Sequence, residues 1–316
     1  MLDTKAMRPL EGLGIPSGLV QEALESLDAV LLDKAKVVRL AFAAFLAKGH
    51  VLVEDLPGVG KTTLALGIAN IGHLDFVRIQ MTPDTLPGDL LGASLFDPRE
   101  GGFRFHPGPI FHSVVLVDEL NRASPRTQSA LLEAMAEQQV SADGNTYPLP
   151  HLFFVVATQN PLEESGVYSL PTSQLDRFMV RLKIGYPSRE AEKRLLLGEQ
   201  NKELPHVLVQ SQLLRLQEAV AAVFLSPEIV DMIADFAQRS REFPALRLGL
   251  SPRGALALKS MAQAHAFLQG RNFVVPEDLF AVGRAVVAHR IVPKDPATEP
   301  EAMCRVLMQK IWGVMA

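Results

Sequence analysis

Five short apolar runs, each about strand length, punctuate the first part of the chain: His50–Glu54, Phe76–Met81, Val114–Val117, Leu152–Ala157 and Met179–Ile184. Val114–Val117 is apolar at every position, which suits a strand buried on both faces. Helical patterns separate the runs. Gln21–Leu46 reads as helical, with its apolar residues clustered in Val37–Leu46, and a second helix follows a Gly-rich turn from about Thr62 to Ile71. Ser124-Pro125 reads as a helix start, Ser as cap and Pro in the first turn, for a helix ending near Glu137. Gln139–Leu149 contains Asp143-Gly144-Asn145 and reads as a hairpin. Pro83–Ile110 is rich in Gly and Pro, holds Phe96, Phe103 and Phe105, and is expected to be irregular. Strands alternating with helices imply an α/β domain around a mostly parallel sheet. The alternation stops near Gly185-Tyr186-Pro187. Beyond it only helical signals remain, with starts at Ser226-Pro227, Ser251-Pro252 and Val275-Pro276. The expected organisation is a loose arm over 1–20, marked by Pro9, Gly12, Gly14, Pro16 and Gly18, an α/β core over 21–187, and a smaller all-helical domain over 188–316.

A chain of 316 residues exceeds one small core and fits two domains. Hydrophobic residues at 48 % and charged residues at 21 % describe a soluble globular composition. A net charge of −4 argues against a large nucleic-acid footprint, though not against a local basic patch. Cys304 is the single cysteine, which excludes an intrachain disulfide and a cysteine-based zinc site. It fits a reducing compartment. The most apolar stretches, such as Ala219–Leu225, fall far short of the ~20 residues that cross a bilayer. Asp3, Lys5 and Arg8 are not followed by a long apolar run, so no signal peptide is expected and the cytoplasm is the default location.

The densest chemical signal lies in Val51–Thr63. Pro57-Gly58-Val59-Gly60-Lys61-Thr62-Thr63 sits between a strand and a helix, the context a phosphate-cradling loop requires. Gly58 and Gly60 let the backbone curl so that successive N–H groups face phosphate oxygens, and the helix N-terminus adds partial positive charge. Lys61 is placed to reach the β- and γ-phosphates of ATP, and the Thr62 hydroxyl to ligate Mg²⁺. The competing reading is an ordinary Gly-rich turn, which does not explain the Gly-Lys-Thr. Asp55 stands where the usual pattern has its first glycine.

A phosphate loop alone fits kinases, GTPases and ATPases. Val114-Val115-Leu116-Val117-Asp118-Glu119 narrows this, because it ends a buried strand in two carboxylates. Asp118 suits the Mg²⁺ shell, and Glu119 suits polarising an attacking water held in line. The competing reading is an acidic pair that solubilises a strand end. Asn160, at the tip of the following strand, can bond the same water or the γ-phosphate, or be a turn residue. Arg177 precedes the fifth strand and could reach a neighbouring subunit's γ-phosphate; spacing alone favours a surface ion pair. Arg253 sits in the first turn of a helix capped by Ser251, where it could move with the helical domain and report nucleotide state.

Together these motifs resemble the AAA+ ATPase superfamily and, within it, the MoxR family. The likeness is carried over about 50–190 by Pro83-Asp84-Thr85-Leu86-Pro87, Gly108-Pro109-Ile110-Phe111, Asp118-Glu119-Leu120-Asn121-Arg122-Ala123, Gln128–Met135, Ala157-Thr158-Gln159-Asn160-Pro161 and Gln174-Leu175-Asp176-Arg177-Phe178. The helical half contributes chiefly Ser251-Pro252-Arg253-Gly254. The resemblance implies a P-loop AAA+ core with a helical lid. It implies Walker A at Lys61 and Thr62, Walker B at Asp118 and Glu119, sensor 1 at Asn160, an arginine finger at Arg177 and sensor 2 at Arg253. It further implies a hexameric ring with nucleotide at subunit interfaces, an insert in the second helix over 86–109, and a hairpin before sensor 1 over 139–149. Departures are Ser169 and Thr172, where the family usually has Pro and Glu, and His106 near a usual arginine. Leu31-Leu32-Asp33-Lys34 lacks the Gly often seen before the first helix, so adenine contacts are not assigned.

Neither insert looks like a nucleic-acid grip. Gln139–Leu149 holds no Lys or Arg, and Pro83–Ile110 has Asp84, Asp89, Asp97 and Glu100 against Arg99 and Arg104, whereas phosphate tracking needs basic residues. Phe103 and Phe105 alternate on a possible strand and face either a pore or client, or pack under the insert. The reading is a chaperone-like ATPase remodelling protein clients. The resemblance points to a partner with a von Willebrand factor A domain. A magnesium-chelatase-like motor subunit and a nucleotide-binding scaffold with negligible hydrolysis remain alternatives.

Overall fold

Asp28 and Arg39 fold the start of the chain back on itself. In the computed structural model, which describes residues 17–99, 101–161, 166–199 and 207–313, α1 (Ser17–Asp28) and α2 (Ala35–Leu46) stand where one helical stretch was expected. Arg39 Nε donates to Asp28 at 2.9 Å across the break, and Asp33 takes a left-handed φ of 60° in the connecting turn. Residues 1–16 of the expected arm lie outside the described residues; 17–20 open α1.

The core continues through β1 (Val51–Glu54), α3 (Lys61–Ile71) and β2 (Phe76–Gln80). The segment expected to be irregular forms a short helix, α4 (Pro87–Leu91), and an antiparallel hairpin of β3 (Gly92–Asp97) and β4 (Gly102–Pro107). Its base closes on two glycines. A Cβ on Gly92 would lie 2.2 Å from the His106 carbonyl oxygen, and one on Gly108 would lie 2.3 Å from that of Leu90. The two phenylalanines of β4 part company. Phe105 stacks on Tyr147 at 4.0 Å between ring centroids, whereas Phe103 is 77 % exposed and pairs edge-on with Phe96, its cross-strand neighbour.

There follow β5 (Val114–Asp118), α5 (Pro125–Glu137), the hairpin of β6 (Gln139–Ala142) and β7 (Asn145–Pro148), β8 (Phe154–Gln159), α6 (Thr172–Leu175) and β9 (Val180–Leu182). Ser124 Oγ caps α5 by accepting the Thr127 N–H. Five strands form one parallel sheet in the order β2–β5–β8–β1–β9. Register sets Glu54 beside Gln159 and Gln80 beside Asp118, so β1, β2, β5 and β8 end along one edge. That edge is where open α/β sheets bind ligands.

Helices dominate the remainder: α7 (Arg189–Leu196), α8 (Gln210–Ala221), α9 (Pro227–Glu242), α10 (Pro252–Leu268), α11 (Pro276–Val287) and α12 (Pro300–Trp312). Ser226 and Ser251 cap α9 and α10 through their hydroxyls. One feature breaks the all-helical expectation, a small antiparallel pair of β10 (Leu246–Leu248) and β11 (Val292–Pro293). The lid packs on α2. Phe42 and Phe45 share a core with Leu216, Leu258 and Met261, and Gln217 Nε2 donates to the Phe45 carbonyl at 2.9 Å. Among the described residues no helix is long and apolar enough to cross a membrane.

Candidate functional site

Val53 and Glu54 deliver the chain to the ligand edge of the sheet, where Asp55 through Gly60 curl into a loop. Gly58 and Gly60 both hold positive φ, 82° and 102°, and Gly60 caps α3 from the left-handed region. Curling in this sense turns backbone N–H groups toward the loop centre, a concavity suited to anions. Lys61 opens α3 and arches back to donate from Nζ to the Asp55 carbonyl at 2.9 Å. Pro57, Gly58 and Thr63 are exposed, Thr62 is half-buried, and Val59 anchors the loop in the core. A cavity of about 190 Å³ lies alongside, walled by Leu31, Leu32, Pro187 and Leu195 against Gly58–Gly60. The turn between α1 and α2 therefore forms one wall, a role unmarked in the sequence.

Asp55 does more than replace a glycine. Its buried carboxylate accepts the Ile184 and Gly185 N–H groups, both at 2.6 Å, and the Leu56 N–H at 2.8 Å. The loop base is thereby tied to the chain leaving β9 toward the lid.

Asp118 and Glu119 stand where β5 ends. Thr158 on β8 is fully buried and joins them: its hydroxyl donates to Asp118 Oδ1 at 2.6 Å and accepts the Glu119 N–H at 2.9 Å. β2 supplies the other partners. Arg78 pairs with Asp118 at 2.6 Å, and Gln80 Nε2 donates to Glu119 at 2.8 Å, joined there by Arg122 at 2.9 Å. Arg78 and Gln80 are two residues apart and so share a face of β2. Glu119 takes a left-handed conformation, φ 55°, that turns its side chain out of the strand. Asn160 follows β8 directly and is half-buried. Thr62 and Asp118 offer hard oxygen donors of the kind Mg²⁺ takes, and Mg²⁺ draws much of its shell from substrate phosphate and water. Thr158, Arg78 and Gln80 escape sequence reasoning because only strand pairing brings them together.

Arg177 and Arg253 lie elsewhere. They line a second cavity, of about 260 Å³, with Lys48, Gln138, Met179 and Leu256. Neither is among the residues that wall the cavity beside the phosphate loop. Arg177 is held by its own chain, donating to the Leu132 carbonyl of α5 at 2.7 Å. The first turn of α10 docks beside it, because Ser251 Oγ donates to Asp176 at 2.8 Å. His50 lies under this cavity, buried, with Nδ1 accepting the Val155 N–H and Nε2 facing the Met135 carbonyl.

A five-stranded parallel sheet with a phosphate loop and paired carboxylates on its ligand edge, followed by a helical lid, defines the AAA+ ATPase fold. The family model described as "ATPase family associated with various cellular activities (AAA)" matches residues 50–180, and one described as "AAA lid domain" matches residues 238–306. The chain is 42 % identical to the uncharacterised protein YeaC of Bacillus subtilis, over 93 % of this chain and 94 % of that protein. It is 35 % identical to chaperone MoxR1 of Mycobacterium tuberculosis, over 97 % and 84 %. A solved structure from Cytophaga hutchinsonii superposes with a TM-score of 0.85 at 31 % identity, covering 93 % of this chain and 94 % of that one. The chain belongs to the MoxR family of AAA+ ATPases.

Proposed function

We propose that the protein hydrolyses ATP with Mg²⁺ at sites shared between neighbouring subunits of a ring, a hexamer by family resemblance, and uses the cycle to remodel protein clients. The observation that carries this reading is the separation of the two half-sites. Lys61, Thr62, Asp118 and Glu119 stand at the ligand edge of the sheet, whereas Arg177 and Arg253 line a cavity to which none of the four contributes. Transition-state charge on a transferred phosphoryl group requires cations on several sides. A head-to-tail ring brings the arginine face of one copy to the loop face of the next.

In this reading the N–H groups of Pro57–Thr63, apart from that of the proline, cradle the phosphates, and Lys61 moves from the Asp55 carbonyl to them. The base lies against Leu31, Leu32 and Pro187. Thr62 and Asp118 would hold Mg²⁺, which would supply neutralisation of phosphate charge, and Asp118 would have to be released from its pairing with Arg78. Glu119, steadied by Gln80 and Arg122, polarises the attacking water with Asn160. Arg177 and Arg253 come from the neighbour. The domain limits follow the same scheme, a core over 21–187 and a lid over 188–316. Phe96 and Phe103 give the insert an exposed aromatic face suited to an apolar protein segment. A partner with a von Willebrand factor A domain follows from the family resemblance, and the name of the M. tuberculosis relative supports a chaperone role.

Glu119→Gln tests the chemistry. Turnover should fall by two orders of magnitude or more, about the scale of losing a general base, with ATP still bound. Unchanged turnover would remove Glu119 from the mechanism. Sedimentation velocity tests the assembly: ATP should convert monomer to a ring, and a species that stays monomeric while hydrolysing ATP at full rate would overturn the shared site.

A further inference from the structure

Arg290 is the most completely engaged cation among the described residues. It lies just beyond the C-terminus of α11, with its side chain 1 % exposed. A guanidinium has five N–H donors, and all five are placed. Nε donates to Asp176 Oδ1 at 2.7 Å. One terminal nitrogen donates to the Met179 carbonyl at 3.0 Å and to that of Val286. The other donates to the carbonyls of Asp176 at 3.2 Å and Phe178 at 2.5 Å. Three of these acceptors are backbone carbonyls on either side of Arg177. Neighbouring lid groups add to the grip: His289 Nε2 donates to the Phe178 carbonyl at 3.1 Å, and Ser251 Oγ takes the second Asp176 oxygen at 2.8 Å. The packing leaves no slack. A Cβ on Gly254, beside Arg253, would lie 2.8 Å from Arg290 Cδ.

We propose that Arg290 is a positioning residue for the reaction: from the lid it fixes the backbone that aims Arg177 and holds Arg177 and Arg253 as one rigid pair for the neighbour's phosphate. The proposal rests on the reading that Arg177 acts on the neighbouring subunit. Burying an arginine this deeply is costly unless every donor is met, and here the acceptors it meets are those of the segment that carries Arg177. The lid thus sets the finger from one side, while the core holds it from the other through the Leu132 carbonyl.

Arg290→Lys keeps the charge but cannot span the five acceptors from a single ammonium. Its kcat should fall about 10- to 100-fold, the scale of an ångström of misplacement. KM for ATP should hold within about twofold, because the phosphate loop is elsewhere. Asp176→Asn should show the same split. Mixing chains locates the defect. Arg290→Lys should recover activity when mixed with Glu119→Gln, which supplies an intact arginine face, and should not recover with Arg177→Ala, which shares the lesion. A wild-type rate for Arg290→Lys, recovery with Arg177→Ala, or recovery with neither would overturn the assignment. The control pair, Arg177→Ala with Glu119→Gln, separates the premises: if that pair fails to recover activity, the shared site itself is wrong, and the role of Arg290 falls with it.

Discussion

Asp55 shows how one side chain can hold a loop whose family pattern calls for glycine. Its carboxylate closes the phosphate loop onto Ile184 and Gly185 through two short hydrogen bonds. Asp55→Ala takes the side-chain acceptor from three N–H groups, those of Ile184, Gly185 and Leu56, and should cost about 3 kcal/mol, read as a lower urea midpoint. A midpoint within experimental error of the wild type would mean that water replaces the carboxylate there. In the proposed mechanism Gln80 acts on chemistry rather than stability. Gln80→Ala frees one side of Glu119 and should lower kcat several-fold with little change in the urea midpoint; unchanged kcat would make the contact incidental. The residues of the phosphate loop and the Asp118–Glu119 pair were legible in the sequence because they are contiguous and sit at a strand–helix junction. Arg78, Gln80, Thr158 and Arg290 were not, because their partners lie 39 to 114 residues away in the chain.

Elements meet at His50, where β1, β8 and the end of α5 join. Burial pushes its imidazole down to about 4, from an ordinary value of 6.5. Burial and the Arg290 charge push His289 down as well. The unfolded chain therefore takes up protons below pH 6.5 that the folded chain refuses. Stability should be full above pH 6.5 and fall as the pH drops toward 4, His50 alone contributing a loss of up to about 3 kcal/mol. Urea unfolding at pH 7 and pH 5 measures this, and His50→Gln should flatten part of the slope; an unchanged slope would place the titration elsewhere. At this scale the sequence was informative wherever an element has a strong boundary. Each sheet strand overlaps its apolar run to within two residues at either end, and Ser-Pro pairs mark α5, α9 and α10. It failed where boundaries are weak. The turn between α1 and α2 holds neither Gly nor Pro, β10 and β11 are too short to show a period, and the Gly-Pro density of the insert concealed an ordered hairpin.

The whole molecule presents two faces. One carries the phosphate loop, the carboxylates and an apolar cavity wall; the other carries Arg177, on a segment the lid clamps, and Arg253, on the lid itself. His50 and Asp55 tie both faces to β1, and Arg290 ties the second to the lid. In the proposed mechanism neither face is sufficient for phosphoryl transfer, which assigns the activity to the assembly. The most direct measurement is ATP turnover by an equimolar mixture of Arg177→Ala and Glu119→Gln chains, each inactive alone. Random assembly pairs an intact loop face with an intact arginine face at about a quarter of the interfaces, so the mixture should regain activity of that order. A mixture that stays as inactive as its components, although the two chains exchange into common rings, would contradict the shared site.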